Sequence, residues 1–201
     1  MKNDTTSEKS RLREVFRKKR SALKKEEVAK KSQEINQNFI TNLLPKIYQK
    51  NSGKIFSLYL SSNNEVATNS ITEHFLANQI NFSYPKIIER NQPLEFILFK
   101  KNQQFLANNF YPTIREPDCG KKILPDFLIL PLLGFDHNLS RLGIGGGFFD
   151  RTINFLKKQK SSIITIGLGY EFQRLEDALP IEITDQRLDF VVTEKMIFSA
   201  S

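Results

Sequence analysis

Between residues 53 and 192 the chain alternates short apolar runs with stretches of helical period. Ile55–Leu60, Ile80–Tyr84, Leu94–Phe99, Phe127–Leu133, Ile163–Leu168 and Leu188–Val192 read as strands, and Ser70–Asn78 and Gly147–Lys158 as helices. Upstream, Leu12, Val15, Phe16 and Leu23 recur at helical spacing among lysines and arginines, which predicts an amphipathic helix from Glu8 that Ser21 interrupts. A second helix is expected from Lys24 to Leu44, with Val28, Ile35, Phe39 and Leu43 on one face and Pro45 closing it. Near-continuous apolar strands interleaved with helices are strands covered on both faces. The expected fold class is therefore α/β, a layered fold with a largely parallel central sheet flanked by helices and preceded by basic N-terminal helices. Ligands of such sheets sit beyond the carboxyl ends of the strands, which directs attention to the loops after Leu60 and after Leu133.

The length of 201 residues, with 39% hydrophobic and 26% charged side chains, fits one domain spanning 1–201. The longest apolar run, Phe127–Leu133, is strand-sized and far short of the roughly 20 residues of a membrane helix. Residues 1–20 are polar and basic, unlike a secretory signal, and the lone Cys119 forms no internal disulfide; a cytoplasmic location is the expectation. Of the net charge of +8, the first 31 residues carry seven, with twelve basic against five acidic side chains. Such a block is a solvated helix face, a surface for nucleic acid or membrane, or a set of cations for one small polyanion.

Candidate chemistry concentrates in 126–151, DFLILPLLGFDHNLSRLGIGGGFFDR. An apolar strand leads into Gly143-Ile144-Gly145-Gly146-Gly147, and a helix follows at once. Glycines admit positive φ and close backbone approach, and a helix start adds a positive dipole end, so this is an anion site suited to phosphate. The spacing fails the dinucleotide fingerprint, since Phe148 stands where the third glycine belongs, and no Gly-Lys-Ser/Thr completes a P-loop. Arg141 and Arg151 add cations, and Asp150 a carboxylate of the kind that holds Mg²⁺. Arg141 could instead cap a helix or pair with Asp136, and Asp185 and Asp189 could be strand-end charges. His74 and His137 read as surface residues, Cys119 as an incidental loop thiol, and the 17 phenylalanines as core.

RLGIGGGFFDR, preceded by ILPLLGFD, resembles the RLGxGxGYYDR signature of the 5-formyltetrahydrofolate cyclo-ligase family. The likeness runs along the chain in order: Lys9-Ser10-Arg11-Leu12-Arg13 with Arg20, Tyr59-Leu60-Ser61 with Glu65, Tyr84-Pro85-Lys86, Ile114-Arg115-Glu116-Pro117, Phe172-Gln173, and Thr184-Asp185 through Asp189 to Glu194. The resemblance implies conversion of MgATP and 5-formyltetrahydrofolate to 5,10-methenyltetrahydrofolate, ADP and phosphate. It implies catalytic roles for Arg141, Gly145 and Phe148. ATP contacts would come from Lys9, Ser10, Arg11, Leu12 and Arg13 and from Arg141, Leu142, Gly143, Ile144, Gly145, Gly146, Gly147, Phe148 and Phe149. Leu60, Glu65, Ile144, Gly145, Gly146, Gly147 and Phe148 would bind the folate, and Asp150 and Asp185 the Mg²⁺. On this reading the basic block serves ATP, the partners are small molecules without nucleic acid or membrane, and the protein is a monomer. Three departures from the family pattern stand out. Phe148-Phe149 replaces the usual Tyr-Tyr and Thr184 a frequent His. The aromatic residue that covers the pterin has no clear counterpart, with Pro112 nearest and Phe110 and Tyr111 beside it.

Overall fold

The computed structural model describes residues 2–50, 52–160 and 162–200, with side chains from residue 5 onward. The chain opens with helices α1 (Lys2–Ser21) and α2 (Lys25–Asn38), a π-helical turn (Phe39–Leu43) and the single turn α3 (Leu44–Ile47). Strand β1 (Phe56–Ser57), helix α4 (Asn69–Ala77), β2 (Phe82–Lys86) and β3 (Glu95–Leu98) follow, then the short β4 (Phe105–Ala107), β5 (Arg115–Pro117) and β6 (Lys122–Ile123). After β7 (Phe127–Pro131) come the hairpin β8 (Gly134–Phe135) and β9 (Arg141–Leu142), helix α5 (Phe148–Gln159), β10 (Ile164–Leu168), a 3₁₀ turn (Glu171–Gln173), β11 (Phe190–Val192) and β12 (Ile197–Ser199).

Eight strands form one sheet in the order β12-β11-β10-β7-β1-β2-β3-β6. Its five central strands, from β11 to β2, are parallel, and β12, β3 and β6 join antiparallel at the edges. Strand β7 shows why its sequence is apolar throughout. Phe127 and Ile129 point into a core shared with Ile35, Phe39 and Phe75 of the α2–α4 side, whereas Leu128 and Leu130 point into a second core with Ile153 and Leu156 of α5. A strand has period two, so a strand covered on both faces must be apolar at every position. Phe56 stacks on Phe127 with ring centroids 4.3 Å apart, which pins β1 beside β7.

Several boundaries depart from the expectations. The second helix does not run unbroken to Leu44 and end at Pro45. It passes through the π turn, and Pro45 lies in the first turn of α3, where a missing N–H costs nothing. The first strand pairs over Phe56–Ser57 alone, β7 stops at Pro131, which has no amide hydrogen to give, and α5 starts at Phe148 with Gly147 as its cap. Val15, assigned to the apolar stripe of α1, is 39% exposed. The buried face of α1 instead runs through Lys9, Phe16 and Arg20. Phe16 and Leu12 pack with Leu133, Leu142 and Leu179, and the bare Cα of Gly134 lets the Phe16 ring come within 3.1 Å of where a Cβ would stand. This seam lays the basic helix across the carboxyl end of the sheet. Among the described residues no helix is long and apolar enough to cross a membrane.

Candidate active site

A cavity of about 970 Å³ opens where the sheet's carboxyl ends, α1 and the start of α5 meet. Both loops singled out from the sequence line it. The loop after β1 brings Leu60, Ser61, Ser62 and Glu65, and the chain after β7 brings Arg141 through Arg151.

At one end lies the glycine loop. Asp136, fully buried, organises the hairpin before it by accepting the N–H groups of Asn138 and Ser140 on Oδ1 and of Leu179 on Oδ2. Three arginines then hold loop carbonyls: Arg13 Nε donates to Gly143 O at 3.0 Å, Arg17 to Ile144 O at 2.7 Å and Arg151 to Gly146 O at 2.7 Å. Among the described residues the N–H groups of 143–147 donate to no protein acceptor, which leaves them for a ligand. Gly147 adopts φ +64° as the cap of α5, and a Cβ there would lie 2.7 Å from Arg151. Unpaired amides at a helix start, ringed by cations, make an anion cradle.

Arg141 does not pair with Asp136. It donates to Asp150 at 2.7 Å and to the carbonyl of Gln186, whose own N–H reaches the same Asp150 oxygen at 3.0 Å. Burial draws Arg141 below the ordinary arginine value, and Asp150 and then Asp185 pull it back up, so it remains a cation. Lys9, buried, pairs with Asp185 and, at 3.3 Å, with Glu182; Asp185 Oδ2 also accepts the Glu182 N–H at 2.8 Å. Asp150 Oδ2 and Asp185 Oδ1 accept no hydrogen bond among the described residues. Two free carboxylate oxygens beside an anion cradle are a donor set that suits Mg²⁺, which commonly takes one or two carboxylates and completes its shell with phosphate and water.

At the other end Glu65 is nearly buried. Its Oε2 accepts the N–H of Ser62 at 2.9 Å and the Ser62 hydroxyl at 3.4 Å. Burial pushes its carboxyl above the usual range, while Arg20 and the Ser62 hydrogen bonds pull the other way. Glu116 lines the same wall and accepts the N–H of Ile87 on Oε2 at 2.9 Å. Burial keeps the phenols of Tyr59 and Tyr84 protonated, both of them on this wall.

Most of the expected site residues thus converge: Lys9, Arg13, Leu60, Glu65, Arg141 through Asp150, and Asp185 all line the cavity. Ser10, Arg11 and Leu12 do not. Successive helical residues turn by about 100°, so Lys9 and Arg13 share one face, Ser10 and Arg11 reach solvent and Leu12 joins the Phe16 seam. Phe110, Tyr111 and Pro112 stay outside the cavity; Tyr111 supports the Phe148 ring edge-on at 5.8 Å. Asp189 is structural, holding Thr165 through two hydrogen bonds. Sequence reasoning gave no role to Arg17 or Glu182, whose contacts cross from one element to another, and placed Arg20 in a motif without its partner.

Residues 5–194 match the 5-formyltetrahydrofolate cyclo-ligase family. The chain is 32% identical over 189 residues to the 5-formyltetrahydrofolate cyclo-ligase of Mycoplasma pneumoniae, covering 94% of this chain and 99% of that protein. To the Haemophilus influenzae cyclo-ligase it is 30% identical over 186 residues, covering 90% and 94%. The solved structure of the 5,10-methenyltetrahydrofolate synthetase of Mycoplasma pneumoniae is similar with a TM-score of 0.72 at 28% identity, covering 93% of this chain and 99% of that one. The NMR structure of the Aquifex aeolicus 5,10-methenyltetrahydrofolate synthetase gives 0.76 at 28% identity, covering 95% and 92%. The matched span holds α1 from residue 5 on, the Glu65 loop, the glycine loop and Asp185 alike, and the chain belongs to the 5-formyltetrahydrofolate cyclo-ligase family.

Proposed function

We propose that this protein closes the ring of 5-formyltetrahydrofolate to 5,10-methenyltetrahydrofolate at the expense of ATP, releasing ADP and phosphate. The observation that carries this reading is one cavity with two unlike ends, an anion cradle ringed by Lys9, Arg13 and Arg141 and a wall bearing the nearly buried Glu65. Its volume of about 970 Å³ is at the upper end for small-molecule sites, in keeping with two co-substrates side by side.

A formyl amide is a poor electrophile, and its oxygen is the atom to activate. That oxygen attacks the γ-phosphorus; an O–P bond forms, the bond to ADP breaks, and the formyl carbon becomes an iminium phosphate. The neighbouring side-chain nitrogen then attacks this carbon, loses its proton, and phosphate leaves as the ring closes. The free amides of 143–147 and the guanidinium of Arg141 bear the negative charge of the transferred group, while the cavity walls hold the two reactants in line. Lys9 and Arg13 reach the phosphates from α1. Asp150 and Asp185 would hold Mg²⁺, which neutralises phosphate charge when bound. Glu65 accepts hydrogen bonds from the amino and amide groups of the pterin, with Leu60 against the ring. Phe148 borders the formyl group by ring packing alone, since it has no hydroxyl.

We further propose that the protein acts as a cytoplasmic monomer on small molecules without nucleic acid, since Lys9, Arg13 and Arg20 of the basic helix turn inward. The test is an absorbance assay of the methenyl product in the near ultraviolet, with purified protein, 5-formyltetrahydrofolate and MgATP. Product that requires both ATP and Mg²⁺ is the expected result. Folded, ATP-binding protein that makes none would move the reading to a relative with a different substrate or without turnover.

A further inference from the structure

α1 carries a third inward cation beyond the two that face the glycine loop. Arg20 is 5% exposed, and its Nη1 lies 3.7 Å from Oε1 of Glu65. That separation supports charge attraction but not a hydrogen bond, and Nη1, fully buried, has no acceptor among the described residues. Glu65, which lines the cavity, has its Oε2 occupied by Ser62, whereas its Oε1 accepts no hydrogen bond among the described residues. The loop is fastened to this helix end: the side-chain amide of Asn64 donates to the carbonyls of Arg20 at 3.1 Å and Leu23 at 3.0 Å. Asn63 and Asn64 both take left-handed backbone angles, and the hydroxyl of Tyr170 donates to Asn64 O at 3.0 Å. A buried arginine with an unused N–H, placed behind a buried carboxylate with an unused oxygen, makes poor sense as a stabilising pair. It makes sense as a device that keeps the carboxylate charged and one oxygen open.

We propose that Arg20 is a positioning residue for folate recognition, supplying positive charge to Glu65 from behind while leaving Oε1 free to accept N–H donors of the substrate. This rests on the reading that Glu65 meets the folate ring. Without the cation, a carboxyl in this setting takes up a proton, and a protonated Glu65 offers an O–H donor where an acceptor is needed. The other titratable groups nearby, Tyr59 two residues after β1 and Tyr170 after β10, are phenols raised by burial and carry no positive charge; Glu194, beyond Tyr170, is paired with Lys31 at 2.6 Å. Arg20 is thus the cation set against Glu65, and burial already pushes that carboxyl upward.

The test is the Michaelis constant for 5-formyltetrahydrofolate from pH 6 to 9, relative to wild type, in the full-length Arg20→Met and Arg20→Lys variants. For Arg20→Met a rise of about tenfold at pH 7 is expected, which corresponds to about one Glu65 carboxyl in ten keeping its charge. The deficit closes as the pH is raised, and the constant for ATP stays unchanged. Arg20→Lys, which restores the charge, stays near wild type. A folate constant unchanged in Arg20→Met, or raised equally at every pH, would overturn the proposal. If Arg20→Met fails to fold, adding Glu65→Gln recovers the fold, because an uncompensated carboxylate is then the cause; a double variant that stays unfolded counts against the pairing. Glu65→Gln alone separates the two readings. If it leaves folate binding intact, the role of Glu65 itself fails, whereas if it weakens binding and Arg20→Met does not, only the role of Arg20 fails.

Discussion

At the glycine-loop end of the cavity the charges are paired with one another. Arg141 holds Asp150 and Lys9 holds Asp185, and the two carboxylates keep 28% and 23% of their side-chain surface open. At the Glu65 end a cation and a carboxylate face each other at 3.7 Å, almost without solvent and without a hydrogen bond. The first end is a set of pairs with buried cations and partly wet carboxylates, in which an entering polyanion can take over the cations and its metal the carboxylates, so that no buried charge is left without a partner. The second is a fixed environment whose charge state is settled before a ligand arrives, because burial makes any rearrangement expensive. One helix serves both ends, with Lys9 and Arg13 towards the phosphate cradle and Arg20 two to three turns further along.

Perturbing the glycine-loop end tests this contrast most sharply. Arg141→Ala removes a positioned cation and leaves Asp150 without its counter-charge; kcat/KM should fall by about 10²–10³, as when a transition-state donor is lost, with the circular dichroism spectrum retained. Asp150→Asn should lower turnover by about 10- to 100-fold and raise the Mg²⁺ concentration needed for half-maximal rate. Unchanged Mg²⁺ titrations would remove Asp150 as a ligand. The double change Lys9→Ala with Arg13→Ala should raise the constant for ATP by about thirtyfold, each lost charged contact contributing roughly 1 kcal/mol, and that for folate much less. A rise for folate alone would reverse the assignment of the two ends. The smallest effect is expected from Phe148→Tyr with Phe149→Tyr. Adding hydroxyls to rings that already pack should alter kcat by no more than about fivefold, since one hydrogen bond is worth about 1 kcal/mol net. A much larger gain would show that the phenylalanines limit the reaction.

The layered α/β fold was legible because its central strands are short, apolar and covered on both faces, as the split of Phe127 and Ile129 from Leu128 and Leu130 shows. The glycine loop was legible because the cradle is local: five consecutive residues and the helix start beside them. The short pairs β4 with β5 and β8 with β9 left no pattern, since two or three residues show no period. Pro45 misled because a proline that ends one helix and a proline that opens the next look alike in sequence. Ser10, Arg11 and Leu12 were drawn in with their neighbours because a linear motif does not say which face of a helix turns inward.

By itself the sequence determined the elements that propensity and period specify, the anion cradle that backbone freedom specifies, and the number and kind of charges in the basic helix. Only the tertiary structure decided where those charges point. The direction of α1 is set by the Phe16 seam against Gly134 and Leu142, contacts across more than a hundred residues. That seam turns Lys9, Arg13 and Arg20 inward, where burial and distance rather than composition fix what each cation does.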